Sequence, residues 1–432
     1  DGNYWFATNK GVYFLPSLVF DYLPTEREFS GGRIIDADYD GERLWLGNNL
    51  FELFIYLPIE DTIFKKEDLT KFPISDVECL YDGRVALSAG RFCSINTSVQ
   101  SYISGCKCTK ISQFLTRLKD GGFAGAGGCG FVINNDVCSD EFGFRDKLMC
   151  IAGVSSDSIW VGGINGLFLF NGEEVIAMGE QDSLLANRIN NIELTEDGTM
   201  WLATNNKGII ALRNGEVKLH LTAKQGLASN WCSYLWSDSD TVLWVGSQNG
   251  LTKVTTTPDL ELKNIYNYTR IHGLPTNEIN SIVRAEEFLY LSTDIGLIRF
   301  DPSISTVNET RPPVLIHHIQ VGEKDTFMNH VDSVFLDLDY SQNSIIAFYT
   351  GLTFRDKGNV SYRYRMLGSG FDTNWVYTSN RDVQYTKLGT GNYQLQIQAA
   401  NEDGFWSEKG AIVYLSVSPP FWEKLWLSLI HI

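Results

Sequence analysis

At 432 residues, 44% hydrophobic and 20% charged, the chain is globular, long enough for two or three domains, and free of low-complexity tracts. Its 35 Lys and Arg stand against 52 Asp and Glu, a formal net charge of −17, which excludes nucleic acid and an anionic membrane surface as main partners. Of eight cysteines, seven lie between Cys79 and Cys150, yet the first histidine is His220, so the Cys106-Lys107-Cys108 stretch lacks the partners and spacing of a zinc site. Buried free thiols are the first reading of these cysteines, and one or two disulfides the second.

The chain opens inside a phrase, Asp1-Gly2-Asn3-Tyr4-Trp5, and so reads as a piece of a longer protein. That phrase recurs: a large apolar residue, Trp or Tyr, a small β-former, Gly/Ala/Ser, a polar turn, then Gly-apolar. Clear copies center on Trp5, Trp45, Trp160, Trp201, Trp244 and Tyr290, and weaker ones fall at Arg84–Gly90 and Gly122–Gly128. The spacing of roughly 37–46 residues is that of a propeller blade built from short strands. Within a repeat, an entry phrase such as Gly273-Leu274-Pro275-Thr276-Asn277 leads into an alternating strand, then the Trp strand, a Gly turn and a third strand. The repeated Trp is read as packing between blades, and the glycines of Gly121–Gly128 as close blade packing in place of a phosphate loop. Seven blades are expected, with eight as the alternative, because a propeller commonly closes one sheet with strands from both chain ends.

The repeat stops near Asp301-Pro302, and Arg311-Pro312-Pro313 makes a stiff exit. Strand-like runs follow at 314–321, 333–338, 344–349, 360–367, 393–399 and 411–417, reading as an immunoglobulin-like antiparallel β-sandwich. The expected division is all-β: a propeller over 1–310, a sandwich over 311–418, and the start of a juxtamembrane or transmembrane segment over 419–432. Pro419-Pro420-Phe421-Trp422 and Trp426 supply the aromatic belt for that last reading.

The L-W-x-G-[ST]-x-x-G-[LI] phrase resembles the two-component-regulator propeller repeat. Tyr362-Arg363-Tyr364-Arg365-Met366, Trp375, Tyr385-Thr386, Gly391-Asn392-Tyr393, Ala399-Ala400-Asn401 and Gly404-Phe405-Trp406-Ser407 resemble the YYY-type sandwich that follows it. Together they look like the extracytoplasmic sensor region of hybrid two-component histidine kinases of Bacteroides-type bacteria. The resemblance implies a periplasmic region of an inner-membrane protein and an oligosaccharide ligand released from a glycan. It also implies a homodimer through the YYY domain, a following transmembrane helix, and output through transcription of glycan-utilization genes. The kinase domains of such a protein are not in this sequence, so no catalytic residue and no cofactor is expected here.

The chemistry of the residues adds a regional site. Asp and Glu are abundant, but no spacing singles out a glycosidase pair. His317-His318 would alternate to opposite faces of a strand, which argues against joint metal binding. Entry loops of the first strands and the turns after the Trp strands lie on one propeller face, where Arg188, Lys207, Trp231 and Gln248 exceed what a turn needs. Trp231 is expected to stack on a sugar, with Arg188, Lys207 and Gln248 as hydrogen-bond partners. Rival readings are a secreted propeller hydrolase or lyase, and a scaffold that binds a protein.

Overall fold

A computed structural model describes residues 4–15, 19–24, 32–66, 74–80, 84–88, 92–96, 112–119, 123–127, 130–133, 137–138, 144, 146–304, 307–322, 324–353, 355, 360–371 and 373–420. Among these residues the chain is all-β, with short 3-10 turns and no α-helix. It divides into two compact units, Leu18–Ser305 and a second made of Asp1–Ser17 with Thr306–Ile432.

Within Leu18–Ser305 the described strands form seven antiparallel sheets. Their innermost strands are Ile34–Tyr39, Asp76–Cys79, Ser112–Arg117, Leu148–Ser155, Ile189–Leu194, Cys232–Ser239 and Ile279–Ala285. Each packs beside the next, and the last packs beside the first, so the sheets form a closed propeller ring. The outer strand of the last sheet is Phe20–Pro24, paired from Gly296↔Pro24 to Phe300↔Phe20. Residues from both ends of the unit therefore share one sheet.

The repeated phrase forms the second strand of a sheet at Leu44–Asn48, Ser158–Gly163, Met200–Thr204, Val242–Ser247 and Phe288–Thr293. The weaker copies take the same place at Arg84–Ser88 and Phe123–Gly127. Trp45, Trp201 and Trp244 are fully buried, each within a cluster shared with the following sheet. Trp244 meets Phe300 of the next sheet edge-on at 5.7 Å. Emptying such a site costs about 3–5 kcal/mol. The small residue two places on has a steric reason: a Cβ on Gly47 would lie 2.4 Å from Ile74 Cγ2.

The first copy departs from this pattern. Tyr4–Thr8 pairs with Gly11–Leu15 in a two-stranded sheet, and residues 1–17 group with the second unit, whereas the sequence placed them in the propeller. Trp5 is 50% exposed there.

The second unit's core joins a four-stranded and a five-stranded sheet. The first runs Lys324–Val331, Val314–Val321, Ile345–Gly351, Asp382–Tyr385; the second runs Ser333–Leu338, Ala411–Val417, Gly391–Ala400, Ser361–Leu367, Val376–Thr378. The sandwich is not wholly antiparallel as expected, because Ser333–Leu338 runs parallel to Ala411–Val417. Nor does strict alternation hold at His317-His318. The register shifts between Ile316 and His318, Ile316 and Ile319 are both buried, and His318 stacks on Phe348 at 4.8 Å.

Cys79, Cys150 and Cys232 are buried free thiols; the other five cysteines lie outside the residues with described side chains. No helix among the described residues is long and apolar enough to cross a membrane. The expected juxtamembrane segment, from Phe421 onward, lies outside the described residues.

Candidate functional site

Three entry loops are built by one device. In each, an Asn near the start of the inner strand ties down the preceding 3-10 turn. Asn187 Nδ2 donates to the Ser183 and Leu184 carbonyls at 3.2 and 3.0 Å. Asn230 Oδ1 accepts from Ala223 N at 2.7 Å, and Asn277 Oδ1 from Arg270 N at 3.1 Å. Capping boxes at Thr222/Gln225 and Thr269/His272 and left-handed Gly226 and Gly273 complete the last two turns. The next residue is thereby held at the rim: Arg188, Trp231 and Glu278 respectively.

The four expected site residues fall along this rim. The Asn205 amide donates to the Arg188 carbonyl at 3.2 Å and the Gly208 amide to the Asn230 carbonyl at 2.9 Å, which draws the Lys207 turn between Arg188 and Trp231. Asn249 Nδ2 donates to the Ala228 carbonyl at 3.2 Å, tying the Gln248 turn to the same loop. Trp231 is 42% exposed, with its amide donating to Ser229 Oγ at 3.0 Å. Lys207 and Gln248 are exposed, while half-buried Arg188 donates from Nε to Asn190 Oδ1 at 3.1 Å. The sequence reading missed Arg33 and Glu278, 3.9 Å apart on the same rim, and Asn280, which accepts from Arg33 Nη2 at 3.3 Å.

From the rim a channel of about 530 Å³ runs down the ring axis. Inner strands have an unpaired edge there, and buried backbone groups must find partners. Side chains reaching from the neighboring strand supply them. Asp36 accepts from Val77 N at 2.9 Å, Asp38 from Cys79 N at 2.7 Å, and Asp76 from Leu115 N. Glu193 accepts from Ser237 N at 2.9 Å and from its Oγ at 2.5 Å, and Asn191 accepts from Leu235 N at 3.0 Å. Asn190 and Asn280 donate to the Cys232 and Ile34 carbonyls at 2.8 and 2.7 Å.

This makes an acidic channel with Arg117 and Lys119 as its counter-charges. Arg117 Nε lies 3.0 Å from Glu78 Oε1, and its Nη1 donates to the Cys79 carbonyl at 3.1 Å. Asp36 is buried, and Asp76, Glu78 and Glu193 line the narrow channel half-buried. Burial raises the carboxyls of Asp36, Asp38 and Glu193. Burial and then the charge of Asp36 hold Asp76 well above the usual carboxylate range; burial and Asp38 do the same to Glu78. Among the described residues no group of three His, Cys, Asp or Glu is arranged to hold a metal ion. The signal for these acids was an i, i+2 pair on a first strand: Asp36/Asp38, Asp76/Glu78, Asn191/Glu193.

Comparison with known proteins matches residues 353–417 to the Y_Y_Y domain and residues 183–206 to the two component regulator propeller. The chain is 28% identical over 213 residues, 46% of its length, to Histidine kinase P4 of Formosa agariphila, of which it spans 15%. A crystal structure described as the extracellular domain of a hybrid two component system from B. thetaiotaomicron superposes with a TM-score of 0.74 at 16% identity. That match covers 96% of this chain and 60% of that one. Virginiamycin B lyase from Staphylococcus aureus shares the propeller fold, with a TM-score of 0.51 at 12% identity over 65% of this chain and 99% of the lyase. The chain thus carries a Y_Y_Y domain and a two component regulator propeller repeat, on a fold similar to that of the extracellular domain of a hybrid two component system.

Proposed function

We propose that the chain is the periplasmic ligand-sensing region of a transmembrane hybrid two-component histidine kinase. The ligand is a glycan-derived oligosaccharide, held on the propeller rim by stacking on Trp231 and by polar contacts from Arg188, Lys207 and Gln248. The observation that carries the reading is the rim itself: an exposed Trp231 whose backbone amide is held by its own loop, with the Lys207 and Gln248 turns hydrogen-bonded to that loop and Arg188 on the neighboring entry loop. A rigid aromatic face with polar groups around it suits a sugar ring, which has an apolar C–H face and a hydroxyl perimeter. Binding has to favor one arrangement of paired Y_Y_Y domains for a signal to pass to the kinase and on to transcription of glycan-utilization genes.

The channel carboxylates speak against the hydrolase or lyase reading, because Asp36, Asp38, Asp76 and Glu193 are each engaged in accepting from the backbone of the neighboring strand. Calorimetry of the chain against a panel of neutral and acidic oligosaccharides tests the proposal. A binder is expected, with Trp231→Ala weakening it by about tenfold, the equivalent of roughly 1.4 kcal/mol of lost stacking. Unchanged affinity in that variant would remove Trp231 from the site, and no binder at all would count against the sensor reading.

A further inference from the structure

The outer face of the five-stranded sheet in the second unit carries a ladder of flat groups. The Arg363 guanidinium carbon lies 4.4 Å from the center of the Trp406 ring and 4.7 Å from that of Trp375. Arg365 lies 4.4 Å over the same Trp375. The spacing follows from the strand: Arg363 and Arg365 are two residues apart on Ser361–Leu367, on the face away from buried Tyr362 and Met366. Register sets Gln398 opposite Arg363 and Gln396 opposite Arg365, and these amides accept from the two Nε groups at 2.9 and 2.8 Å. Tyr377, paired with Arg363 on the other side, meets Trp406 edge-on at 5.6 Å and is 65% exposed.

This arrangement decides what is left to bind. Indoles cover the guanidinium faces, and amide oxygens occupy the Nε groups, so the Nη edges remain. Neither arginine forms an ion pair among the described residues, in a chain whose net charge is −17. The free edges donate and do not accept. Hydroxyls and peptide carbonyls can accept from these edges, but an oxyanion brings only acceptors, a full opposite charge and the bidentate geometry that matches the fork. The stacked, planar forks are also pre-organized, so little rotamer freedom is lost on binding.

We propose that this ladder is a second binding site, for a carboxylate or sulfate ester borne on a sugar ring, with exposed Tyr377 as the platform for the ring. It stands independently of the rim reading, because its residues all belong to the other unit. The test is calorimetry on the full chain at 50 mM salt. The probes are a disaccharide of glucuronate and sulfated N-acetylgalactosamine, its desulfated form, neutral cellobiose and sodium sulfate.

The anionic disaccharides are expected to bind and cellobiose not to bind at this site. Arg365→Gln should lower affinity at least tenfold at a temperature where the variant is still fully folded, and Trp231→Ala should leave it intact. Raising salt to 200 mM should weaken binding in the wild type, a readout that does not depend on any variant folding. Sodium sulfate binding as tightly as the disaccharide would overturn the sugar-borne source in favor of a free oxyanion. Failure of every anionic probe, or equal affinity in Arg365→Gln, would overturn the site and leave the ladder as a fastener of the sheet. Loss in Trp231→Ala alone would move the ligand to the rim.

Discussion

Glu193→Ala probes the claim that channel acids hold adjacent inner strands together. Glu193 accepts two hydrogen bonds from Ser237, from its amide at 2.9 Å and its hydroxyl at 2.5 Å, across neighboring sheets. Bonds to a charged acceptor contribute about 1.5–3 kcal/mol, and an amide left without a partner costs about 1–3 kcal/mol. The contributions overlap, and the half-buried channel lets some water in, so about 2–4 kcal/mol is the expected loss. For a unit of this size that lowers the propeller melting transition by roughly 3–7 °C. Differential scanning calorimetry is the assay, read on the transition that tracks the propeller. Glu193→Gln keeps a carbonyl acceptor and relieves the buried charge, so it should stay within about 1 kcal/mol of wild type. In a cycle with Ser237→Ala, the two losses should be non-additive. If Glu193→Ala melts with the wild type, or Glu193→Gln loses as much as Glu193→Ala, the acids are bystanders and the strapping argument fails.

Two further outcomes follow from the same ring. Burial and Asp36 raise the Asp76 carboxyl, so the folded state holds that proton more tightly than the unfolded chain. The stability gained is present below the usual carboxylate range and declines as pH rises toward the raised folded value. Asp76→Asn should therefore flatten the decline and melt higher than wild type above neutral pH, by about 1.4 kcal/mol for each tenfold of excess proton affinity removed. A wild-type melting temperature that rises over pH 5–8 only through Asp76 would contradict this. Gly250 starts a third strand at φ +122, and a Cβ there would lie 2.3 Å from the Tyr268 carbonyl oxygen. Gly250→Ala should cost about 2–4 kcal/mol in urea unfolding, whereas Gly215→Ala, at φ +78 with nothing within 4 Å, should cost about 1 kcal/mol. Equal costs would mean that close approach is not what demands glycine.

The ring was readable from sequence because each Trp strand repeats both a chemical pattern and a spacing. Even Arg84–Ser88 and Phe123–Gly127, which lack the Trp, sit where the period predicted. The phrase at Trp5 specifies a hairpin, and the hairpin alone does not say which sheet it joins. The rim was located from the loop order, since the entry loops of the first strands and the turns after the Trp strands share one face. The channel straps were missed because an acid on a first strand looks like a solvated residue until the unpaired edge beside it is known. The Arg363–Trp406 stack was equally hidden: it joins residues 43 apart through the strand register, and no local pattern encodes that.

The strand Phe20–Pro24 also bears on how the protein is made. It leaves the ribosome well before its partner Gly296–Phe300, which is synthesized some 270 residues later. At about 5–20 residues per second this leaves the segment waiting for roughly 15–55 s with an unpaired backbone and with Phe20, which ends against Tyr268 and Phe300, uncovered. During that interval it can pair with any exposed edge, including one from another nascent chain. Arg299, which binds Asp21 in the finished sheet, then favors the cognate strand by charge.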